Sequence, residues 1–226
     1  MKQKVVIKLG GSALQHPATL QELARMVHGY RERNFDVVVV HGGGPAINEE
    51  LTKRGIAWKF INGQRQTTPQ MIEVIEEVLG KTVNSNLVES LRAMNIPTLG
   101  LSGARDQILY CTHADRKLMR VGQVLKVDVC AIETALSEGT PVIAPIGFGD
   151  RGKIYNVNAD WAATKIAIAL RAKKLIFLTD QLGILDQNQK LVRKATPQKI
   201  YRMIEDGVIS GGMCTKVLAM MAALEA

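Results

Sequence analysis

Apolar and polar positions change period along this chain, and the changes mark out its elements. Val5–Leu9 is a short apolar run interrupted only by Lys8. From Pro17 to Arg33 the residues Leu20, Leu23, Ala24, Val27 and Tyr30 recur at helical spacing, with a proline suited to the first turn. Val37–Val40 is a pure β-branched run, and Gly42-Gly43-Gly44-Pro45 leads from it into a helix with Ile47 and Leu51 inward. Thr68-Pro69 opens a helix carrying Ile72, Ile75 and Leu79, and Pro97–Leu101 is strand-like and runs into Ser102-Gly103. This β-α-β-α-β rhythm predicts an α/β sandwich around a mainly parallel sheet.

From Arg105 to Asp128 residues alternate more, charges rise and Gly122 interrupts, which predicts β-hairpins on a lid or edge. The α/β rhythm resumes with a helix around Ala131–Ser137, a strand over Pro141–Ile146, a hairpin about Gly149–Lys153 and a helix from Asn158 to Leu170. A strand at Leu175–Thr179, a hairpin through Asp186–Gln189 and helices at Pro197–Glu205 and Gly212–Leu224 complete the chain.

Composition narrows the classes. The chain has 226 residues and 46% hydrophobic content, enough to bury a substantial core in one domain or two joined lobes. No apolar run reaches the ~20 residues of a membrane span, and Met1-Lys2-Gln3 shows no signal-peptide pattern. The cysteines, Cys111, Cys130 and Cys214, are widely spaced without a CxxC, which indicates neither a zinc knuckle nor a disulfide framework; a reducing cytoplasm is expected. The net charge of +8 raises nucleic acid as a partner, but the cations are scattered and only four Phe and two Trp are available for stacking. A positive field around an anionic small-molecule site explains the charge equally well.

Three glycine-rich turns follow strands: Gly10-Gly11-Ser12, Gly42-Gly43-Gly44 and Gly100-Leu101-Ser102-Gly103. At the carboxyl ends of strands, such turns let backbone N–H groups approach phosphate oxygens, and a following helix adds its positive end. Two familiar nucleotide motifs fail. No GxGxxG follows a strand, and Gly80-Lys81-Thr82 lacks the earlier P-loop glycine, since Ile75 stands there; an ordinary helical segment is the better reading.

Lys8 shares a strand face with Val6 and Gly10. Two readings are open: a lysine projecting into an anion site, or one snorkelling from an edge strand. Lys216 stands in the first turns of the last helix, where a cation is disfavoured unless an anion is near; an exposed side chain is the plainer alternative. In "YNVNADWAATK", Asn158 suits an N-cap and Asp160 the first turn, but neither accounts for Asn156; Asp160 could also orient a lysine. Arg65, in "NGQRQTTP", is a carboxylate fork or a surface arginine. "LTDQLGIL", Thr179 to Leu185, holds a nucleotide or forms a hairpin.

In order, "KLGGS", "VVVHGGGP", "NGQRQT", "GLSG", "YNVNAD", "LTDQLGIL" and "SGGMCTK" resemble the amino-acid kinase family over nearly the whole chain. "NGxRxT" and "NVNAD" are similar to its acetylglutamate branch. The resemblance implies a three-layer αβα sandwich, with a lobe of about residues 1–155 for the amino-acid substrate and one of about 156–226 for ATP. It implies Lys8 and Lys216 as transition-state lysines, with Asp160 orienting both. Gly10, Gly11, Gly43 and Gly44 would give backbone donors to the transferring phosphoryl group. Gly43, Gly44, Arg65, Asn156 and Asn158 would meet N-acetyl-L-glutamate. Thr179, Asp180, Gly183, Ile184 and Leu185, with Val208, Ile209 and Ser210, would line the ATP pocket, and Mg²⁺ would ride on the nucleotide phosphates.

The resemblance also implies arginine biosynthesis, a homodimer, and no membrane or nucleic-acid partner. Lys8 stands close to Met1, so the extra N-terminal helix of arginine-inhibited relatives is not expected, nor arginine feedback. Relatives continue past the helix that holds Lys216, so a chain ending at Ala226 is expected to leave a sheet edge uncovered. Sister kinases acting on glutamate, aspartate, carbamate or a carrier-bound amino acid remain alternatives, as does a non-catalytic regulator with the same fold.

Overall fold

The structure, a computed structural model, describes residues 2–61 and 63–226. Asn62, the first residue of the NGQRQT stretch, lies outside the described residues. The chain opens with β1 (Gln3–Leu9), α1 (Pro17–Glu32), β2 (Phe35–His41) and α2 (Gly44–Lys53). The short pair β3 (Phe60–Ile61) and β4 (Gln64–Arg65) precedes α3 (Pro69–Glu77) and α4 (Asn84–Ala93). Then follow β5 (Thr98–Ser102), β6 (Leu109–His113), β7 (Val121–Val127), α5 (Val129–Glu138), β8 (Thr140–Ala144), β9 (Ile146–Phe148) and β10 (Ile154–Val157). Last come α6 (Ala159–Ala169), β11 (Lys174–Leu178), α7 (Pro197–Glu205) and α8 (Gly211–Leu224).

Five strands form a parallel sheet in the order β11-β1-β2-β8-β5. Strands covered on both faces need apolar residues on both, which is why β1 and β2 are near-continuous runs. On one face Val5, Ile7, Val37 and Val39 pack with Leu23 and Val27 of α1 and with Leu87 and Leu91 of α4. On the other, Val6, Val38 and Val40 meet Ile132 of α5 and Ala162, Ala163 and Ile166 of α6. The expected αβα sandwich is present. A separate cluster of Ile200, Met203, Ile209, Val217 and Met221 joins α7 to α8.

Three local expectations need correction. β6 and β7 form the expected hairpin, but β9 and β10 close it into a four-stranded barrel rather than leaving it as a lid or edge. Side chains on Gly122, Gly147 or Gly149 would collide with Tyr155 or Cys111, so these glycines permit the closure. The single strand expected over Pro141–Ile146 is two, β8 and β9, parted at Pro145, which has no N–H for a ladder. The helix begun at Thr68 remains helical, but Val78–Val83 form a π turn, so Gly80-Lys81-Thr82 is not ordinary α-helix. In that turn Leu79 fills the space that a side chain on Gly43 would need.

Candidate active site at the strand ends

The carboxyl ends of β11, β1 and β2 lie side by side. The ladder runs one residue past them: the Gly10 N–H donates to the Leu178 carbonyl at 2.9 Å and the Gly42 N–H to the Leu9 carbonyl at 2.8 Å. This brings the first two glycine turns into backbone contact. A Cβ on Gly11 would lie 2.7 Å from the Gly44 nitrogen and 2.8 Å from the Gly43 nitrogen. Among the described residues, the amides of Gly11 and Gly43 have no backbone carbonyl partner. The Gly44 amide belongs to the open first turn of α2, at its positive end. Together these amides form a cradle suited to an anion. The third turn is not part of it: side chains on Gly100 and Gly103 would strike Asn84 and the Ile146 carbonyl, so both glycines serve packing.

Lys8 lies on an interior strand, between Val40 and Phe177, and is 4% exposed, which removes the edge-strand reading. Strand parity turns it toward α6, whose first turn carries Asp160. Lys8 Nζ lies 2.8 Å from Asp160 Oδ1. Lys216 Nζ, from the second turn of α8, donates to Asp160 Oδ2 at 3.1 Å. One buried carboxylate thus holds two ammonium groups. Burial pushes the Lys8 pKa below its ordinary value of 10.5, Asp160 opposes the shift and Lys216 adds to it. Within this triad two cations face one anion, a surplus that a phosphate group would offset.

The β3–β4 hairpin positions Arg65, 6% exposed, with its guanidinium carbon 5.2 Å from the Trp58 ring centre and 4.8 Å from that of Phe60. Nη2 donates to Asn48 Oδ1 at 2.5 Å. Nη1 is buried and, among the described residues, has no partner. Desolvation lowers the Arg65 pKa to about 10, still far above neutrality. A buried N–H left unpaired costs about 1–3 kcal/mol, so this arm is suited to receive a carboxylate. Where a Cβ on Gly63 would stand, Thr215 Oγ1 lies 3.4 Å away, so the hairpin reaches the helix that carries Lys216. Asn156 Nδ2 donates to Thr67 Oγ1 at 3.0 Å, and among the described residues its carbonyl oxygen has no partner. Asn158 Oδ1 caps α6, accepting from Asp160 and Trp161 N–H, and among the described residues its amide NH₂ has no partner.

A cleft of about 490 Å³ brings two distant segments together: Gly183, Ile184 and Leu185 on one wall, Val208, Ile209 and Ser210 on the other. Thr179 and Asp180 stand at the end of β11, outside the residues that line it. Burial is the largest single influence on the Asp180 carboxyl and raises its pKa, but hydrogen bonding to the Ser12, Thr179 and Gln181 side chains and to the Asp180 amide together outweighs it and holds the group below its ordinary 3.8.

Motif reading missed Asn48, Thr67, His41 and Asn84. Asn48 sits one helical turn past Gly44, but nothing in its spacing points to Arg65. His41 ends β2 with no exposure, and burial lowers its pKa from 6.5 to about 4. A histidine neutral in the folded state and protonated in the unfolded one makes unfolding take up a proton. Its contribution is therefore intact above pH 6.5 and is lost as pH falls toward 4. The loss is about 3 kcal/mol, and urea denaturation of wild type and His41→Asn across that window is expected to show the slope reduced in the variant.

The model of the amino acid kinase family matches residues 3–226. The chain is 43% identical to the acetylglutamate kinase of Geobacillus kaustophilus over 99% of its own length and 86% of the relative's. It is 39% identical to that of Jannaschia sp., covering 94% and 75%. Among solved structures, a Streptococcus mutans protein (smu.665) superposes with a TM-score of 0.89 at 29% identity, over 100% of this chain and 91% of the other. Carbamate kinase of Giardia lamblia shares the fold, with a TM-score of 0.65 at 17% identity, covering 100% and 90%. The chain belongs to the amino acid kinase family.

Proposed function

We propose that this protein is an acetylglutamate kinase, transferring the γ-phosphoryl group of ATP to the γ-carboxylate of N-acetyl-L-glutamate in arginine biosynthesis. The observation that carries the reading is Asp160 holding Lys8 and Lys216 beside the glycine amides. The relatives named above support the choice of substrate.

A carboxylate oxygen attacks the γ-phosphorus, and the bond from phosphorus to the ADP oxygen breaks. The acceptor is already ionised, so no general base is required. The barrier lies in the approach of two anions and in charge spread over the phosphoryl oxygens. Lys8, Lys216 and the amides of Gly11, Gly43 and Gly44 are fixed in place before reaction, as electrostatic stabilisation requires. Asp160 keeps the ammonium groups oriented and moderates their repulsion. Gly10 holds the first turn to β11, and Asn156 and Asn158 offer polar atoms to the acylated substrate. The 183–185 and 208–210 walls hold the nucleotide. In this reading the segment of about 1–155 handles the amino acid and that of about 156–226 the ATP. Mg²⁺ carried on the ATP phosphates would neutralise part of their charge; among the described residues no group of three His, Cys, Asp or Glu is arranged to hold a metal.

Arg65 is assigned to a substrate carboxylate. Arg65→Lys keeps the charge and loses the fork. The expected result is a rise of about 10–100-fold in KM for N-acetylglutamate with KM for ATP little changed, read in a coupled ADP-release assay.

The reading includes a cytoplasmic homodimer, which light scattering and cell fractionation would check. Among the described residues no helix is long and apolar enough to cross a membrane. Turnover with N-acetylglutamate far above that with glutamate, aspartate or carbamate supports the assignment. A preference for one of the other three would move it to a sister kinase.

A further inference from the structure

The second glycine turn is held from behind by a buried pair that the mechanism above does not use. Asn84 follows the π turn directly and is 3% exposed. Its Nδ2 lies 2.9 Å from the Val142 carbonyl and 3.1 Å from His41 Nε2. The carbonyl can only accept, so the group facing it is the amide NH₂, and its second proton goes to Nε2 at 3.1 Å, nearer than the Leu101 carbonyl at 3.5 Å. That makes Nε2 the bare nitrogen and places the imidazole proton on Nδ1. His41 Nδ1 lies 2.8 Å from the Gly42 carbonyl and donates to it.

Both ends of Gly42 are therefore tied: its N–H to Leu9 at 2.8 Å and its carbonyl to His41. In a trans peptide the N–H points opposite to the carbonyl. Fixing the Gly42 carbonyl thus aims the Gly43 N–H away from the ring, and the Gly43 nitrogen borders Gly11. Glycine would otherwise allow this peptide to rotate.

We infer that His41, held as the Nδ1–H tautomer by Asn84, is a positioning residue that fixes the Gly42–Gly43 peptide so that the Gly43 amide is aimed at the transferring phosphoryl group. The inference rests on the kinase reading and adds a second layer to it. The ring is fully buried, so its effect is carried through one peptide plane.

Two substitutions separate the bonds. In His41→Asn the side-chain NH₂ takes the place of Nδ1–H and still reaches the Gly42 carbonyl. In His41→Gln the side-chain amide reaches the Nε2 position instead, keeping Asn84 and losing Gly42. The expected result is kcat within about threefold of wild type for His41→Asn and about 10–100-fold lower for His41→Gln, with both KM values within about twofold. Equal losses in the two variants, or losses that follow melting temperature, overturn the inference. A nitrogen-15 spectrum of histidine-labelled wild type tests it without any variant. Protonated Nδ1 and bare Nε2 at neutral pH support it, and an Nε2–H tautomer or an imidazolium overturns it, whatever the activity. Wild-type turnover with N-acetylglutamate, read in the same assay, reports separately on the kinase reading.

Discussion

Lys8→Met is expected to lower turnover by at least about 100–1,000-fold, the range for removing one preorganised group that stabilises transition-state charge. Methionine keeps most of the buried length of the side chain and removes the cation. Asp160 does not become an unpaired buried charge, because Lys216 remains 3.1 Å from its other oxygen. The full penalty of about 3–5 kcal/mol for breaking a buried pair is therefore not expected, and the variant is expected to fold. Circular dichroism and thermal melts check the fold, and steady-state kinetics check the rate. Near-normal turnover in a folded variant would remove Lys8 from the mechanism. The pH profile gives a second readout. Burial lowers the Lys8 pKa below 10.5, so the alkaline limb of kcat is expected below the ordinary lysine range. Lys8→Arg is expected to shift that limb upward while losing rate.

Gly11→Ala is expected to damage both activity and stability. Its Cβ would stand 2.7 and 2.8 Å from two backbone nitrogens, and backbone cannot move aside as the tip of a side chain can. The two turns would have to part, at a cost of about 1–3 kcal/mol or more, and the amides of Gly43 and Gly44 would lose their common aim. Gly44→Ala is the matched control for folding: its Cβ meets nothing within 4 Å, and it lies at the start of α2 in an ordinary helical position. The pair is expected to differ in melting temperature, with Gly11→Ala lower by several degrees. Equal melting temperatures would contradict the backbone contact between the two turns.

The legible parts of this fold are those written in local periodicity. β1 and β2 read as buried strands because helices cover both faces, and Pro17 and Pro69 mark helix starts because a first-turn proline gives up no hydrogen bond. The face of Lys8 followed from alternation, but its partner did not. Asp160 is remote in sequence and meets Lys8 only because α6 crosses that face of the sheet. The Arg105–Asp128 region is legible as strand and turn, but closure of the barrel depends on β9 and β10 pairing with β6 and β7, which are distant in sequence. The π turn leaves no mark in the hydrophobic pattern, since Val78 and Leu79 stay buried whether a turn holds the usual number of residues or one more. His41 stood in full view in "VVVHGGGP", but its tautomer depends on Asn84 and, through it, on Val142, residues that only the fold brings together. The cleft lined by 183–185 and 208–210 was named from motif resemblance; composition alone gave no reason to join the two segments.

Phosphoryl transfer at the ends of β1 and β2, onto a carboxylate, has a spectroscopic readout. Phosphorus-31 spectra of the enzyme with Mg-ATP and N-acetyl-L-glutamate test it most directly. An acyl-phosphate resonance is expected to grow with ADP one for one in wild type and to be absent over the same period with Lys8→Met. Inorganic phosphate without acyl phosphate at early times, or undiminished acyl phosphate in the Lys8 variant, would contradict it.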